Sequence, residues 1–140
     1  MRIFFDTNVL ISAFISQGLC FDLVNRILAK QSRHYFLTGK VVLIELEDKL
    51  KNRFQFSPED LQKVLDLINE QEVANLPSNP PPIPVRDSDD ALVLASALEA
   101  KSDILLTGDQ DLLILNNNTE IKIIDPRTLW EILENEKSIW

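Results

Sequence analysis

Four carboxylates in this chain have positions that an ordinary surface role does not fully explain: Asp6, Glu45, Asp90 and Asp109. Asp6 follows the short β-prone run Arg2-Ile3-Phe4-Phe5, and Asp109 follows Ile104-Leu105-Leu106 across the turn Thr107-Gly108. Taken singly, each is accounted for as the cap of the helix that comes next. Asp90 resists that reading. On a helix starting near Ser88 or Asp89, the residues three, four and seven positions beyond it are Val93, Leu94 and Ala97, which puts its carboxylate on the buried stripe. Asp87, Ser88 and Asp89 already supply candidate caps. A buried carboxylate must be protonated, paired or bound to a cation, and Arg86 is the candidate partner. Glu45 interrupts the apolar run Val41-Val42-Leu43-Ile44 just before Leu46, at the edge of an apolar face; by itself it reads equally well as a surface acid, like Glu47 and Asp48 beside it.

Taken together, the four acids point to a different chemistry. Four carboxylates converging on one crevice repel one another unless a cation is present. Hard oxygen ligands with no His or Cys among them suit Mg²⁺ or Mn²⁺, not zinc or copper. Such ions bind a phosphodiester, lower the pKa of an attacking water and stabilise the leaving oxygen, which is metal-assisted phosphoryl hydrolysis.

Convergence requires a fold that gathers these positions. The pattern predicts a strand over 2–5, a helix over Val9–Ile15 and a second helix from Cys20 to Lys30 with Phe21, Val24, Ile27 and Leu28 on one face. A strand from His34 to Leu37 is closed by Thr38-Gly39. Helices follow from Lys40 to Phe54 and from Pro58 to Val73, the latter with Ser57 as cap and Leu61, Val64, Leu65 and Ile68 as its stripe. Residues 77–84 hold five of the seven prolines, so they are neither helix nor central strand, and they read as a stiff crossover inside one domain spanning 1–140. Beyond them lie a helix from Asp89 to Lys101, a strand from Asp103 to Leu106, a short helix from Leu112 to Leu115, a strand from Ile121 to Ile124, a helix from Pro126 to Glu134 and a tail over 136–140. Strands alternating with helices, without hairpin signals, predict an α/β fold with a central parallel sheet of four to five strands and helices on both faces. In such sheets ligands bind outside the carboxyl ends of the strands, where Asp6 and Asp109 stand.

Composition bounds the rest. The chain has 140 residues, 22 acidic and 14 basic side chains, one His and one Cys, with a net charge of −8. No window approaches the ~18 uninterrupted apolar residues of a spanning helix, and Asp6 comes too early for the apolar segment of a secretory signal. A cytoplasmic protein with no membrane contact is the expectation. Cys20 alone forms no internal disulfide, a Cys/His zinc site is out of reach, and the single His34 removes most His-based acid–base schemes. The acidic balance argues against a protein that coats nucleic acid through a broad basic surface. It does not argue against a nuclease. With four of the 22 acids assigned to one metal site, 18 remain against 14 bases, a balance of −4, and two divalent cations would offset the quartet itself. Lys40, Arg53 and Arg86 are candidates to meet a phosphate backbone, though solvated surface charge is the simpler reading. Trp130 with Leu129, Ile132 and Leu133 reads as a core-facing stripe, Trp140 as tail or oligomer contact, and Phe4 and Phe5 as core strand residues, not base-stacking platforms.

The segments Phe5-Asp6-Thr7-Asn8-Val9-Leu10, Glu45 on the third helix, Asp90-Ala91-Leu92-Val93-Leu94-Ala95-Ser96-Ala97 and Leu106-Thr107-Gly108-Asp109-Gln110-Asp111-Leu112 resemble the successive motifs of PIN-domain ribonucleases in order and spacing. The likeness is greatest to the small PIN proteins described as toxins of toxin–antitoxin pairs, and it covers essentially the whole chain. It implies a three-layer α/β/α sandwich and a Mg²⁺- or Mn²⁺-dependent endoribonuclease acting on RNA. It further implies a homodimer and a small antitoxin protein that blocks the crevice. On this resemblance Asp6, Glu45, Asp90 and Asp109 match the family's acidic quartet, and Asn8 and Thr107 match polar residues that orient ligands or water. Asp111 is sometimes counted with the site and reads equally as the cap of the short helix. Asp87 and Asp89 match acidic positions common in the subgroup, with Ser88 in place of its usual Pro, a benign exchange at a helix start. Two rival readings stand beside it: a catalytically silent PIN-like scaffold, which keeps the fold and not the activity, and a receiver-like or phosphatase-like α/β protein that uses a strand-end Asp as nucleophile. The aspartate phosphatase pattern wants a second Asp where this chain has Asn8, and a receiver wants a Lys at a late strand end, where Thr107 and Asp125 stand.

Overall fold

Five short runs become the strands of one sheet in the computed structural model, in which residues 1–137 are described. β1 (Arg2–Phe5), β2 (Tyr35–Gly39), β3 (Glu72–Ala74), β4 (Ile104–Leu106) and β5 (Lys122–Ile124) pair in parallel throughout. A parallel sheet is covered on both faces, so its inner strands are continuously apolar. Ile3, Phe4, Phe5, Leu37, Leu105 and Leu106 are fully buried, and the Phe5 ring stacks on Phe36 with centroids 4.4 Å apart. Phe4 and Phe5 are thus core residues.

The strands lie in the order β3-β2-β1-β4-β5. The chain builds outward from β1 to β2 and β3, crosses back through residues 75–87, and adds β4 and β5 on the other side of β1. Right-handed crossovers therefore place α1 (Thr7–Ile15), α2 (Leu19–Leu28), α3 (Lys40–Asn52) and α4 (Pro58–Asn69) on one face, and α5 (Ser88–Glu99) and α6 (Gln110–Leu113) on the other. The result is the three-layer α/β/α arrangement expected from the sequence. The last helix, α7 (Pro126–Lys137), packs on α2: Arg26 Nη1 donates to Glu134 at 2.6 Å, Nη2 to the Leu133 carbonyl at 3.0 Å, and the guanidinium lies 4.9 Å from the Trp130 ring centre. Leu129 and Leu133 are buried, while Trp130 and Ile132 pack against the core edge. Residues 138–140, Trp140 among them, lie outside the described residues. No single helix among the described residues is long and apolar enough to cross a membrane.

Two elements differ from the sequence expectation. The helix expected from Pro58 to Val73 ends at Asn69, because its stripe has no successor: the positions three and four beyond buried Ile68 are Gln71 and Glu72. Residues 72–74 instead form the edge strand β3, paired with β2 and fastened by the ion pair of Glu72 with Arg2. On α2 the inward residues are Leu23, Val24 and Ile27, and Phe21 is exposed. Leu23 and Ile27, one turn apart, set that face, and Phe21 lies about 200° around the helix from Leu23.

One close approach sets the two helices that matter for the site. Gly39, at the junction of β2 and α3, sits under α5, where an added Cβ would overlap Ser96 Oγ and come within 3.1 Å of Phe4 Cζ. Its φ of −135° is open to any residue, so the contact alone requires glycine. Gly39→Ala should cost about 1–3 kcal/mol in urea unfolding. Because Ser96 Oγ makes no hydrogen bond, adding Ser96→Ala should return part of that loss. No recovery in the double variant would place the overlap on Phe4 instead.

Candidate active site

β1 and β4 end side by side, with the Asp6 N–H donating to the Leu106 carbonyl at 3.0 Å. Asp6 caps α1 with one oxygen only: Oδ1 accepts the Thr7 N–H at 2.7 Å. Its Oδ2 accepts the Thr107 hydroxyl at 2.7 Å and the Asn8 side-chain amide at 3.4 Å. Asp6 is 4% exposed, so these donors replace water around it. Thr107 Oγ1 in turn accepts the Asp109 N–H at 3.0 Å, and Asn8 Oδ1 accepts the Gly108 N–H at 3.0 Å. Asn8 and Thr107 thereby stitch the two strand ends together.

The caps divide the remaining acids into two kinds. Asp109 Oδ1 accepts the Asp111 N–H at 2.9 Å and caps α6, which starts at Gln110 and not at Leu112. Asp111 is therefore not the cap, and its carboxylate faces the crevice. On α5 the cap is Asp87, whose Oδ1 accepts the N–H groups of Asp89 at 2.8 Å and Asp90 at 3.2 Å. Asp90 stands half-buried at the head of the stripe Val93, Leu94 and Ala97, all three buried. Among the described residues no ion pair joins it to Arg86, which is exposed. Glu45 projects from α3, which is anchored by Val42, Leu46 and Leu50 at zero exposure, and its Oε1 accepts Lys49 Nζ at 2.7 Å.

The structure brings Asp6, Glu45, Asp90 and Asp109 to one crevice of about 270 Å³, together with Asp87, Asp89 and Asp111. Asp90, Asp109 and Asp111 each offer a carboxylate oxygen to a group whose atoms lie within 4.8 Å of one another. Asn8 also lines the crevice; Thr107 lies beneath it, fully buried. Lys40, Arg53 and Arg86 do not line it and are exposed, as solvated surface charges are. Lys49 does line it, and sequence reading missed it. The signal was there in the i, i+4 spacing from Glu45, which puts both on one helix face.

Crowding shows in the proton affinities. Burial, then a hydrogen bond shared with Asp109, then the charges of Asp109, Asp87 and Asp6 push the Asp90 carboxyl up to about 7. Burial also raises Asp6, against hydrogen bonds from Thr107 and Thr7 that hold it down, and the charges of Glu45 and Asp109 add to the rise. An oxygen-only donor set whose members resist joint ionisation fits a hard divalent cation.

The sequence profile of the PIN domain matches residues 2–111. The chain belongs to the PIN-domain family. The matched span runs from β1 to Asp111 and so contains every acid of the crevice. Three solved structures share the fold of this PIN domain. A chain of VapBC2 from Rickettsia felis, bound to a DNA fragment from its promoter, is 15% identical, with 89% of this chain and 98% of that one covered and a TM-score of 0.64. A chain of VapBC-1 from nontypeable Haemophilus influenzae is 18% identical over 91% and 99%, with a TM-score of 0.58. A chain of FitAB bound to a DNA fragment is 13% identical over 89% and 94%, with a TM-score of 0.54. A search of curated proteins finds no match to the sequence.

A pH dependence follows for this PIN domain without metal. Between about pH 4 and 7 folded Asp90 keeps a proton that the unfolded chain has lost, so stability falls as pH rises through that window and levels off above it. Asp6, also raised, acts in the same direction. Discounted for solvent around a half-buried group, the Asp90 effect is on the order of 1 kcal/mol, or about 2–4 °C in Tm. Thermal melts in chelator should show this fall, and Asp90→Asn should flatten it and melt above wild type near pH 8. A wild-type Tm that rises across the window would contradict the assignment.

Proposed function

We propose that this PIN domain is a divalent-metal-dependent endoribonuclease that hydrolyses RNA phosphodiester bonds, and that it is the toxin of a toxin–antitoxin pair acting in the cytoplasm. The observation that supports this best is the gathering of Asp6, Glu45, Asp90 and Asp109 from the ends or faces of four elements into one crevice. Asp90, Asp109 and Asp111, with Asp6 and Glu45 beside them, would hold Mg²⁺ or Mn²⁺. When bound, such an ion polarises the phosphodiester and lowers the pKa of the attacking water.

The chain's own residues do the positioning. Thr7 and Thr107 fix the Asp6 carboxylate, and Asn8 keeps the two strand ends in register. Asp90, whose carboxyl is pushed up to about 7 by burial and by Asp109, would lose its proton to solvent on becoming a ligand. A silent scaffold has no need of four acids held together. A phosphotransfer role is disfavoured because Asn8 stands where the aspartate phosphatase pattern has its second Asp.

An apolar groove supports a partner that covers the site. Val41, Ile44, Leu76, Leu92 and Val93 line it, and it shares Glu45 and Asp89 with the acidic crevice. Ile44, Leu76 and Leu92 are 63%, 56% and 47% exposed. A small antitoxin seated there would close the crevice mouth, in keeping with the VapBC and FitAB assemblies that share the fold. The resemblance adds a homodimer, which light scattering of the purified protein checks.

Purified protein should cut single-stranded or loop RNA with Mg²⁺ or Mn²⁺ and not with chelator. Asp6→Asn and Asp90→Asn should each lower the rate about 100-fold or more, and Thr107→Val about 10- to 100-fold. Metal-independent cleavage, or full activity in both Asp variants, would sink the mechanism. Leu92→Asp should leave cleavage intact and abolish co-purification with the product of an adjacent short reading frame; retained co-purification would move the partner elsewhere.

A further inference from the structure

We infer that Lys49 engages an RNA phosphate in the crevice, and that its ion pair with Glu45 holds it aside until a divalent cation takes over the Glu45 carboxylate. This rests on the nuclease reading above and addresses what that reading leaves open: how a polyanion enters a site of its own sign. The described lining residues carry seven carboxylates, and Lys49 is the one cation among them. Even two divalent ions leave the carboxylates in excess. The cations that sequence position offered for the backbone, Lys40, Arg53 and Arg86, are not in the wall. Within a crevice of this charge a phosphate needs a counter-charge at close range, because solvent and salt screen the distant ones.

The geometry lets one side chain serve both states. Lys49 Nζ lies 2.7 Å from Glu45 Oε1, one helical turn along α3, and the two side chains are 37% and 33% exposed. An i, i+4 pair open to solvent is weak and exchanges readily. The helix beneath does not yield, since Val42, Leu46 and Leu50 are fully buried, so only the flexible lysine stem has to move. Lysine's three donors and compact charge suit a phosphate oxygen with no fixed orientation. A cation drawing on Glu45 removes the counter-charge of Lys49 and leaves the ammonium facing the crevice. Metal and RNA binding are then coupled, each raising the affinity for the other.

The test uses a fluorescein-labelled 2′-O-methyl RNA oligonucleotide, its integrity checked by gel after each titration, and the full chain as wild type, Lys49→Gln and Lys49→Arg. Anisotropy titrations in Mg²⁺ over a range of salt should give a Kd about 5- to 10-fold weaker for Lys49→Gln. The salt slope for that variant should be shallower by about 0.7, the share of one phosphate contact on a single strand. Lys49→Arg should stay within about twofold of wild type, because it keeps the charge. Mn²⁺ affinity, read by electron paramagnetic resonance, should be equal or tighter in Lys49→Gln, since Glu45 has lost its competitor. Equal Kd and slope in wild type and Lys49→Gln overturn the proposal. So does a parallel loss of Mn²⁺ affinity, which would make Lys49 a support for the carboxylates. A wild type that binds neither Mn²⁺ nor the oligonucleotide takes down the nuclease reading and this one together, whereas intact wild-type binding with an indifferent Lys49→Gln overturns only the role of Lys49.

Discussion

The Asp6 carboxylate, almost without solvent at the end of the central strand, is held by the Thr107 hydroxyl on the neighbouring strand's exit and by the first N–H of α1. A buried charge of this kind is tolerated only where donors are already aimed at it. Those donors sit where they do because β1 and β4 are hydrogen-bonded in register through Phe5 and Leu106. The reversal of strand order between β1 and β4 brings this about, since it parts the crossovers to opposite faces and opens the sheet edge there. Loss of that pairing would separate Asp6 from Thr107, and Asn8 from Gly108, at once.

Around this fixed point the other acids divide their two oxygens between structure and site. Asp109 and Asp87 each spend one oxygen on capping N–H groups, which orients the carboxylate. Asp90 receives no such N–H at its side chain, and burial first, then Asp109 beside it, raises its hold on its proton. Glu45 comes from the opposite layer and brings its own counter-charge in Lys49. The crevice thus gathers unlike carboxylates: Asp6, Asp87 and Asp109 are tied to helix starts, Asp6 being buried as well, Glu45 is paired with Lys49, and Asp90 is half-buried beside Asp109.

The charge of the whole chain tells less about partners than the charge of this one place. A net of −8 argues against sequence-blind coating of nucleic acid. It leaves open a site where cations and one lysine offset the carboxylates at close range. The exposed apolar strip of Ile44, Leu76 and Leu92 beside the crevice belongs to the same logic, since a partner that buries it also covers the carboxylates.

Most of the helices and strands were legible in the sequence, because apolar spacing records which side of each element is buried. The stripe Val93, Leu94, Ala97 was enough to turn Asp90 inward, and strand ends were enough to mark Asp6 and Asp109. Local spacing could not show β3, which forms because β2 offers an open edge and because Arg2, 70 residues away in the chain, pairs with Glu72. Nor could it show that Arg86 forms no ion pair with Asp90, or that Asp109 and not Asp111 takes the cap. The sequence by itself determined which residues carry charge and which way each element faces, since both are properties of a few neighbouring residues. Which charges meet depended on tertiary structure alone, because Asp6, Glu45, Asp90 and Asp109 are gathered by sheet order and by the approach of α5 over Gly39, contacts between residues far apart in the chain.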